Sequence, residues 1–395
     1  MRVGIDISQI VYEGTGSGRY VVELVKALVN DEVSLTLFGS AFRRKSSLVS
    51  FTELFSKNPN VRSRLYPFPP KFFELFWNKL HTLPFELLVG DVDVYHSSDW
   101  TQAPAKCKKV TTIHDMIPFL FPDYVHPRIK EAHGARWKWI KDEVDCIIVD
   151  AVSTKRDIIE MFGLEEARIE VVPLGVDQRF LDVGRVKIVK RKEIKSDDND
   201  FIEEERIGSL LRDRLREYGL LEGKYILAVG TLEPRKNISR LIEAYSMLDS
   251  EISKTYPLVI VGKKSWIKQY SIPQGREVKF TGYVSDADLP LLYSGAAVFV
   301  MPSLYEGFGL PVLEAMACAT PVLACDRSSL PEIGGDTIRY IEQPEEVEDI
   351  ARNIQLMIMQ EVFSDVEKAY LRASGFSWTR TARDTLRVYK KLYND

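Results

Sequence analysis

The sequence predicts an α/β fold made of two tandem Rossmann-like, doubly wound domains that face a central cleft. Its 395 residues are more than one hydrophobic core usually organises, which favours two domains. In both halves, short apolar runs alternate with helix-period patterns, as in βαβ units with parallel sheets. Ligands of such sheets bind outside the carboxyl ends of the strands, so functional side chains are expected there.

Each half of the chain supplies its own series of elements. In the first half, the predicted strands are 3–7, 34–38, 92–96, 110–113, 146–149 and 169–172. The predicted helices between them include 19–29 and 128–142. In the second half, the predicted strands are 225–230, 257–262, 278–282, 297–302 and 321–324.

A change in charge pattern separates the two halves. Six basic residues between 185 and 195 precede six acidic residues between 197 and 205, which is typical of a solvated linker or insertion. One amphipathic helix is predicted near 207–218. The expected segments are a first domain at 1–178, a charged linker or insertion at 179–222, a second domain at 223–375 and a helix at 376–395. That final helix needs an apolar surface, and the first domain is one candidate.

Composition excludes several classes of protein. The chain is 45% hydrophobic and 28% charged, which is typical of a globular protein, and its net charge of −4 argues against nucleic acid as a partner. Four scattered cysteines indicate reduced thiols, and no cluster has zinc-ligand spacing. There is no signal-peptide pattern and no apolar run of about 18 residues. We therefore expect a cytoplasmic protein, with peripheral membrane contact left open.

The most specific motif is Glu306-Gly-Phe-Gly-Leu-Pro-Val-Leu-Glu314, which directly follows an apolar run. Gly307 and Gly309 permit a tight turn, and Pro311 suits the first turn of a helix. The N–H groups at that helix start form an anion site. Two carboxylates there indicate contacts with sugar or ribose hydroxyl groups, since a carboxylate accepts several hydrogen bonds. The alternative is a helix N-terminus decorated with acids.

A second motif, Gly230-Thr-Leu-Glu-Pro-Arg-Lys-Asn237, follows the first strand of the second domain. Arg235 and Lys236 are suited to bind a pyrophosphate, the arginine as a fork and the lysine as a point charge. A surface Arg-Lys pair is common, so this motif indicates a pyrophosphate site only in combination with the Glu306 motif.

The first domain carries a glycine loop and polar strand ends. The loop Gly14-Thr-Gly-Ser-Gly18 precedes a helix and does not complete the dinucleotide fingerprint. His114 and Asp115 follow the strand 110–113, where His114 can contact a sugar or developing charge and Asp115 can orient it or the acceptor. Residues 96–99 form a weaker candidate of the same kind.

Two further features have competing interpretations. Asp91-Val-Asp93 matches a metal-binding pattern of some nucleotide-sugar enzymes but opens a strand, away from the expected site, so no metal is predicted there. Residues 40–80 carry eight basic residues, two acidic residues and nine aromatic residues. They predict either a face for an anionic membrane or lipid-linked acceptor, or a core-packed helix with basic flanks.

Together these residues resemble the retaining, GT-B-fold glycosyltransferases of family 4, part of the group 1 glycosyltransferases, which transfer a sugar from a nucleotide diphosphate donor. The family's E-x7-E motif matches Glu306 and Glu314, its EPRKN-type loop matches 233–237, its glycine loop matches 14–18 and its strand-end histidine matches His114. The resemblance extends over nearly the whole chain, including a final helix that crosses back to the first domain.

The resemblance implies a role for each motif. Arg235 and Lys236 would hold the donor pyrophosphate and neutralise the leaving group without a metal, Glu306 would contact the donor sugar, and Glu314 would bind the ribose. Together with His114, the first three are the implied catalytic residues. Other positions implied to contact the donor are Gly16, Gly18, Phe308, Gly309 and Leu310. The first domain would bind the acceptor and the second the nucleotide-sugar.

The identities of the donor and the acceptor are inferred from a second resemblance, which is weaker than that of the donor-site motifs. The segment from His114 to Tyr124 is similar to the subgroup acting on O-antigen or capsule intermediates, often mannosyltransferases. GDP-mannose is the favoured donor, with UDP-sugars as the alternative, and backbone groups near 282–285 would recognise the base. The acceptor would be a saccharide or lipid-linked saccharide of cell-surface polysaccharide or lipopolysaccharide synthesis. A UDP-sugar epimerase and a non-catalytic nucleotide-sugar-binding subunit remain alternatives.

Overall fold

The computed structural model describes residues 1–12, 14–29, 32–192, 198–263, 270–359 and 363–394. The chain divides into two compact units, Met1–Gly175 with Ser377–Asp395, and Val176–Phe376. Among the described residues, no helix is both long enough and apolar enough to span a membrane.

Over its described residues, the first unit contains a sheet of seven parallel strands. The strands are β1 (Arg2–Asp6), β2 (Ser34–Ser40), β3 (Val61–Tyr66), β4 (Val94–Ser97), β5 (Lys108–Ile113), β6 (Cys146–Val149) and β7 (Ile169–Val171). Their order is β3-β2-β1-β4-β5-β6-β7, so the direction of progression reverses between β1 and β4. The edge strand β3 was not predicted, because its exposed Arg62 and Arg64 interrupt the apolar pattern.

Helices connect these strands. They are α1 (Gly16–Leu28), α2 (Lys45–Glu53), α3 (Pro70–Phe73), α4 (Glu86–Val89), α5 (Ile117–Leu120), α6 (Pro127–Glu143) and α7 (Val152–Phe162), with a π-helical turn at Glu74–Lys79 and 3₁₀ turns at Ser8–Val11, Pro122–Tyr124 and Glu166–Arg168. Helix α1 begins at Gly16, earlier than the predicted start at residue 19, because the Thr15 side chain caps it by accepting from the Gly18 N–H at 3.2 Å.

Over the described part of the second unit, six parallel strands form its sheet. They are β8 (Ile226–Val229), β9 (Leu258–Val261), β10 (Val278–Gly282), β11 (Val298–Met301), β12 (Val322–Cys325) and β13 (Arg339–Ile341), in the order β10-β9-β8-β11-β12-β13. Strands β9 and β11 are buried along their whole length, as expected for apolar runs covered by helices on both faces. The short, half-exposed β13 was missed by the sequence analysis. The prediction of two doubly wound α/β domains is thus confirmed.

The helices of the second unit include two within the charged segment. They are α8 (Gln178–Lys192), α9 (Asp198–Glu217), α10 (Ile238–Met247), α11 (Ser250–Thr255), α12 (Leu289–Gly295), α13 (Leu310–Ala317), α14 (Leu330–Gly334), α15 (Val347–Met359) and α16 (Phe363–Ser374), with a 3₁₀ turn at Pro234–Lys236. The final helix, α17 (Trp378–Asn394), lies in the first unit. Its Trp378 ring lies 6.4 Å from that of Tyr20 in α1.

The segment predicted as a solvated linker or insertion lies within the second unit. Helix α9 buries Ile207, Leu211 and Leu215, which explains the amphipathic pattern seen in the sequence. In α8, Gly184 lies so close to α13 that a Cβ atom would be 1.9 Å from the Ala317 carbonyl oxygen. The part of the charged run at 193–197 lies outside the described residues.

The aromatic residues between 40 and 80 contribute mainly to a core. Phe73 and Trp77 are buried with Phe38 and Phe85, and Phe72 and Phe76 are partly buried against that cluster. Of the two interpretations of this region, core packing therefore accounts for the aromatic helix.

The close approach at Gly184 gives a test of how the charged segment supports the second unit. We expect Gly184→Ala to lower the calorimetric Tm of the second unit, at a cost of about 1–3 kcal/mol, because the new methyl group meets backbone that cannot rotate away. Gly134→Ala is the matched control, since Gly134 lies on the exposed side of α6 with open space around it and should be neutral or slightly stabilising. Equal Tm values for both variants would contradict this packing.

Candidate active site

Two loops at the carboxyl edge of the second sheet carry the donor-site motifs. One follows β8 and the other follows β11, and these strands are neighbours at the point where the strand order reverses. The loops are joined directly, since the Leu304 N–H donates to the Arg235 carbonyl at 2.8 Å. The topology therefore brings together motifs that are far apart in sequence.

A buried ion cluster occupies this junction. Lys236 Nζ donates to Glu306 Oε1 at 2.6 Å, and Arg235 Nη1 donates to Glu306 Oε2 at 2.9 Å. Arg235 Nε also donates to Glu233 Oε2 at 2.9 Å. Glu306 and Lys236 are 6% and 8% exposed, so little water screens the pairs. Three of the four implied catalytic residues are thus in direct contact.

The cluster fixes the ionisation of its members. Burial alone would raise the pKa of Glu306, but the charges of Lys236 and Arg235 outweigh it and lower the pKa to about 2. The pKa of Lys236 is lowered, first by burial and then by the Arg235 charge. Glu306 is therefore ionised at neutral pH and cannot donate a proton. Its remaining lone pairs can accept hydrogen bonds from hydroxyl groups.

The turn after Glu306 is held by two serines that sequence analysis missed. Ser328 Oγ accepts from the Glu306 N–H at 2.9 Å, and Ser329 Oγ lies 2.9 and 2.8 Å from the carbonyl oxygens of Glu306 and Phe308. Gly309 has φ of 103°, a left-handed conformation that favours glycine, and α13 begins at the next residue, Leu310. The predicted turn and helix start are therefore confirmed.

Glu314 is separated from the cations by a turn of α13 and has a different partner. Tyr293 Oη donates to Glu314 Oε2 at 3.0 Å, and both side chains are buried. The tyrosine on α12 therefore orients this carboxylate. No signal in the linear sequence connects Tyr293 to Glu314, because the pair depends on how α12 packs against α13.

In the first unit, His114 follows β5 and pairs with a residue that the sequence analysis did not select. His114 Nδ1 lies 2.7 Å from Asp150 Oδ2, and Asp150 is 2% exposed. Strands β5 and β6 pair Ile113 with Val149, so the residues directly after them are neighbours. That adjacency of two parallel strand ends is the signal that identifies Asp150.

The Asp150 pair controls the charge of the histidine. Burial would lower the pKa of His114, but the charge and hydrogen bond of Asp150 raise the pKa to about 9. The imidazole is therefore protonated at neutral pH. Its ring lies 4.7 Å from that of Tyr20 on α1. Both side chains line a small pocket whose other lining residues include Asp6, Gln9 and Asp99.

Two of the weaker first-domain candidates have structural partners. Asp115 Oδ1 accepts from the Ile117 N–H at 2.9 Å, just before α5, whereas Asp150 is the residue that pairs with His114. His96 is 2% exposed between Tyr389 Oη at 2.6 Å and Thr112 Oγ1 at 2.8 Å. Burial lowers the pKa of His96 to about 3, so it is a neutral hydrogen-bonding residue of the core.

The glycine loop and the Asp91-Val-Asp93 pattern occupy opposite ends of the first sheet. Gly16 and Gly18 lie in the first turn of α1, at the carboxyl end of β1. A Cβ at Gly18 would be 3.0 to 3.2 Å from three oxygen atoms, whereas a Cβ at Gly16 would meet open space. Asp93 lies before β4 and pairs with Arg2 at the start of β1, at 2.6 Å. Its position at the amino end of the strand is as predicted.

Comparisons with known proteins identify the class of enzyme that carries this fold and ion cluster as transferases of sugars. Residues 14–180 match the model of the family described as Glycosyltransferase Family 4, and residues 213–372 match the model of the family described as Glycosyl transferases group 1. The O-antigen chain mannosyltransferase B of Escherichia coli is 30% identical over 99% of this chain and 100% of its own length. The chain belongs to this family of glycosyltransferases.

A second relative and a solved structure extend the comparison. The O-antigen chain mannosyltransferase RfbU of Salmonella typhimurium is 23% identical over 87% of each chain. The sucrose-phosphate synthase of Thermosynechococcus elongatus is similar in structure, with a TM-score of 0.68 at 19% identity over 100% of this chain and 99% of that one. These comparisons confirm a GT-B glycosyltransferase, and neither the epimerase nor the binding-subunit alternative is favoured.

The His114 pair generates a prediction about ionisation. In Asp150→Asn we expect the pKa of His114 to fall well below about 9, because the lowering by burial is then opposed only by the weaker effects of Asp99 and Asp115. Histidine Cε1–H shifts followed by NMR across pH 5 to 10 measure this, with His114→Gln assigning the resonance. Asp115→Asn is the control, and its His114 should still titrate near 9. An unchanged pKa in Asp150→Asn would contradict the pairing.

Proposed function

We propose that the protein is a retaining mannosyltransferase that moves mannose from GDP-mannose to a saccharide or lipid-linked saccharide acceptor in cell-surface polysaccharide or lipopolysaccharide synthesis. The observation that carries the proposal is the buried contact of Arg235 and Lys236 with Glu306 at the carboxyl edge of the second sheet. The names of the two relatives, both O-antigen chain mannosyltransferases, support the choice of sugar.

The proposed donor site assigns each group a task. Arg235 and Lys236 bind the diphosphate, and the N–H groups of Phe308, Gly309 and Leu310 at the start of α13 add partial positive charge. Glu306 accepts hydrogen bonds from hydroxyl groups of the mannose. Glu314, oriented by its tyrosine partner, accepts hydrogen bonds from the ribose hydroxyl groups.

The proposed reaction proceeds with retention of configuration. The bond between the mannose anomeric carbon and the diphosphate oxygen breaks, and a bond from that carbon to the acceptor oxygen forms on the same face. The acceptor proton passes to the departing phosphate. Negative charge developing on the diphosphate is stabilised by the two cations, which fill the role that a divalent metal fills in other nucleotide-sugar enzymes. We propose that the reaction needs neither a metal nor an organic cofactor.

The first unit is proposed to bind the acceptor. His114, held as an imidazolium by Asp150, would donate a hydrogen bond to the transferring sugar, and Gly16 and Gly18 would let the backbone of the loop approach it. We also propose peripheral contact with the inner face of a membrane near residues 40–80. The exposed side chains of Phe42 and Leu54, amid an excess of basic residues, support this contact.

A thermal-shift panel of GDP, UDP, ADP and their sugar conjugates tests the proposal. We expect GDP and GDP-mannose to raise the Tm most, since a ligand that binds only the folded state stabilises it. Arg235→Ala and Glu314→Ala should lose most of the shift. Arg216→Ala, which removes an exposed arginine of the same unit, should keep it.

Each outcome of that panel is decisive. A larger shift with UDP would contradict the choice of GDP-mannose while retaining the donor site. No shift with any nucleotide at millimolar concentration would contradict the proposed transferase reaction. An undiminished shift in Arg235→Ala would contradict the role of the ion cluster in binding the diphosphate.

A further inference from the structure

A second pocket of the first unit lies beside the one that contains His114. It is an open pocket at the carboxyl ends of three strands, where Asp6 ends β1, Ser40 ends β2 and Ser98 follows β4. Strand carboxyl ends are where open α/β sheets bind ligands. We call it the Trp100 pocket.

Aromatic side chains form its walls and floor. The rings of Tyr12 and Trp100 lie 6.3 Å apart with an angle of 38° between their planes, and both are partly exposed. Phe73 and Trp77, 3% and 0% exposed, line the pocket from the core side. Flat apolar faces of this kind pack against the C–H faces of a pyranose ring.

Polar groups lie among these rings. Asp6 is 2% exposed and accepts from the Ser8 N–H at 2.9 Å, and Glu74 pairs with Arg128 at 2.9 Å. Gln9 is 2% exposed, and its side-chain nitrogen has no hydrogen-bond partner among the described residues. A buried donor without a partner is costly, so a ligand oxygen that reaches this nitrogen is stabilising.

The chemistry of the lining distinguishes among ligand classes. Two carboxylates disfavour a phosphate or another anion. The buried polar groups disfavour a hydrocarbon chain, because burying them against it would leave them without water or partners. A neutral molecule with apolar C–H faces and several hydroxyl groups satisfies both the rings and the carboxylates.

The Trp100 pocket adjoins the pocket of His114, because Asp6 and Gln9 line both. A group bound against Trp100 would therefore lie in the pocket next to the one that holds the residue proposed to contact the transferring sugar.

We propose that the Trp100 pocket binds the terminal hexose of the acceptor, with Tyr12 and Trp100 packing against its ring and Asp6, Gln9 and Glu74 meeting its hydroxyl groups. This inference rests on the proposed transferase function, because it assigns the sugar that receives the mannose. Trp100 is then a specificity-determining residue for the acceptor and has no role in donor binding.

Saturation-transfer NMR on the full chain tests the proposal, with methyl α-D-mannopyranoside and an α-linked mannobiose as probes. We expect both to bind the wild-type protein, and Trp100→Ala to weaken binding at least about tenfold, as for an aromatic hot spot. Trp100→Phe should restore most of the affinity. Tyr393→Ala, which removes an exposed tyrosine of the same unit, should leave it unchanged. GDP should stabilise every variant as it does the wild type.

The outcomes separate this proposal from the function on which it rests. The pocket assignment alone would be overturned if neither sugar bound the wild-type protein. It would also be overturned if Trp100→Ala bound the sugars as tightly as the wild type while keeping its GDP response. Loss of the GDP response in Trp100→Ala would also overturn it, because the effect would then be general. Sugar binding at Trp100 without any nucleotide response in the wild-type protein would support the pocket and overturn the donor chemistry.

Discussion

The contact of one buried carboxylate with two cations constrains the carboxyl edge of the second sheet. Removing Arg235, Lys236 and Glu306 from water costs several kcal/mol per ion, and only close, well-oriented pairing repays that cost. Glu306 therefore holds the loop after β8 against the turn after β11, and neither can move without exposing an unpaired charge. Cations held in this way would be oriented before the proposed diphosphate donor binds, which is what electrostatic stabilisation of a leaving group requires.

Both units use parallel strand ends to bring distant residues together. In the first unit, the adjacent ends of β5 and β6 place His114 against Asp150. In the second, the adjacent ends of β8 and β11 place the Arg235 loop against Glu306. In each case the sheet supplies the position and a buried ion pair fixes the side chain. The helices then support the arrangement, as Tyr293 does for Glu314.

Local patterns predicted the features that depend on local chemistry. Buried strands such as β9 and β11 were predicted because burial on both faces requires a continuous apolar run, and the turn at Gly309 because only certain residues fit it. Features that depend on long-range packing were missed. The edge strand β3 has no apolar run, Ser328 and Ser329 reach Glu306 from a later loop, and the charged helix α8 owes its burial to the contact of Gly184 with α13.

The proposed function depends most on Lys236, which, held by Glu306, would stabilise the departing diphosphate. The most direct test is the kcat for mannosyl transfer from GDP-mannose to a mannose-terminated acceptor, measured in EDTA for the wild type, Lys236→Gln and the exposed-lysine control Lys254→Gln. We predict wild-type turnover in EDTA, an unchanged control and a fall of about 10²- to 10³-fold in Lys236→Gln. Lys236→Gln turnover within about threefold of the wild type would contradict the account.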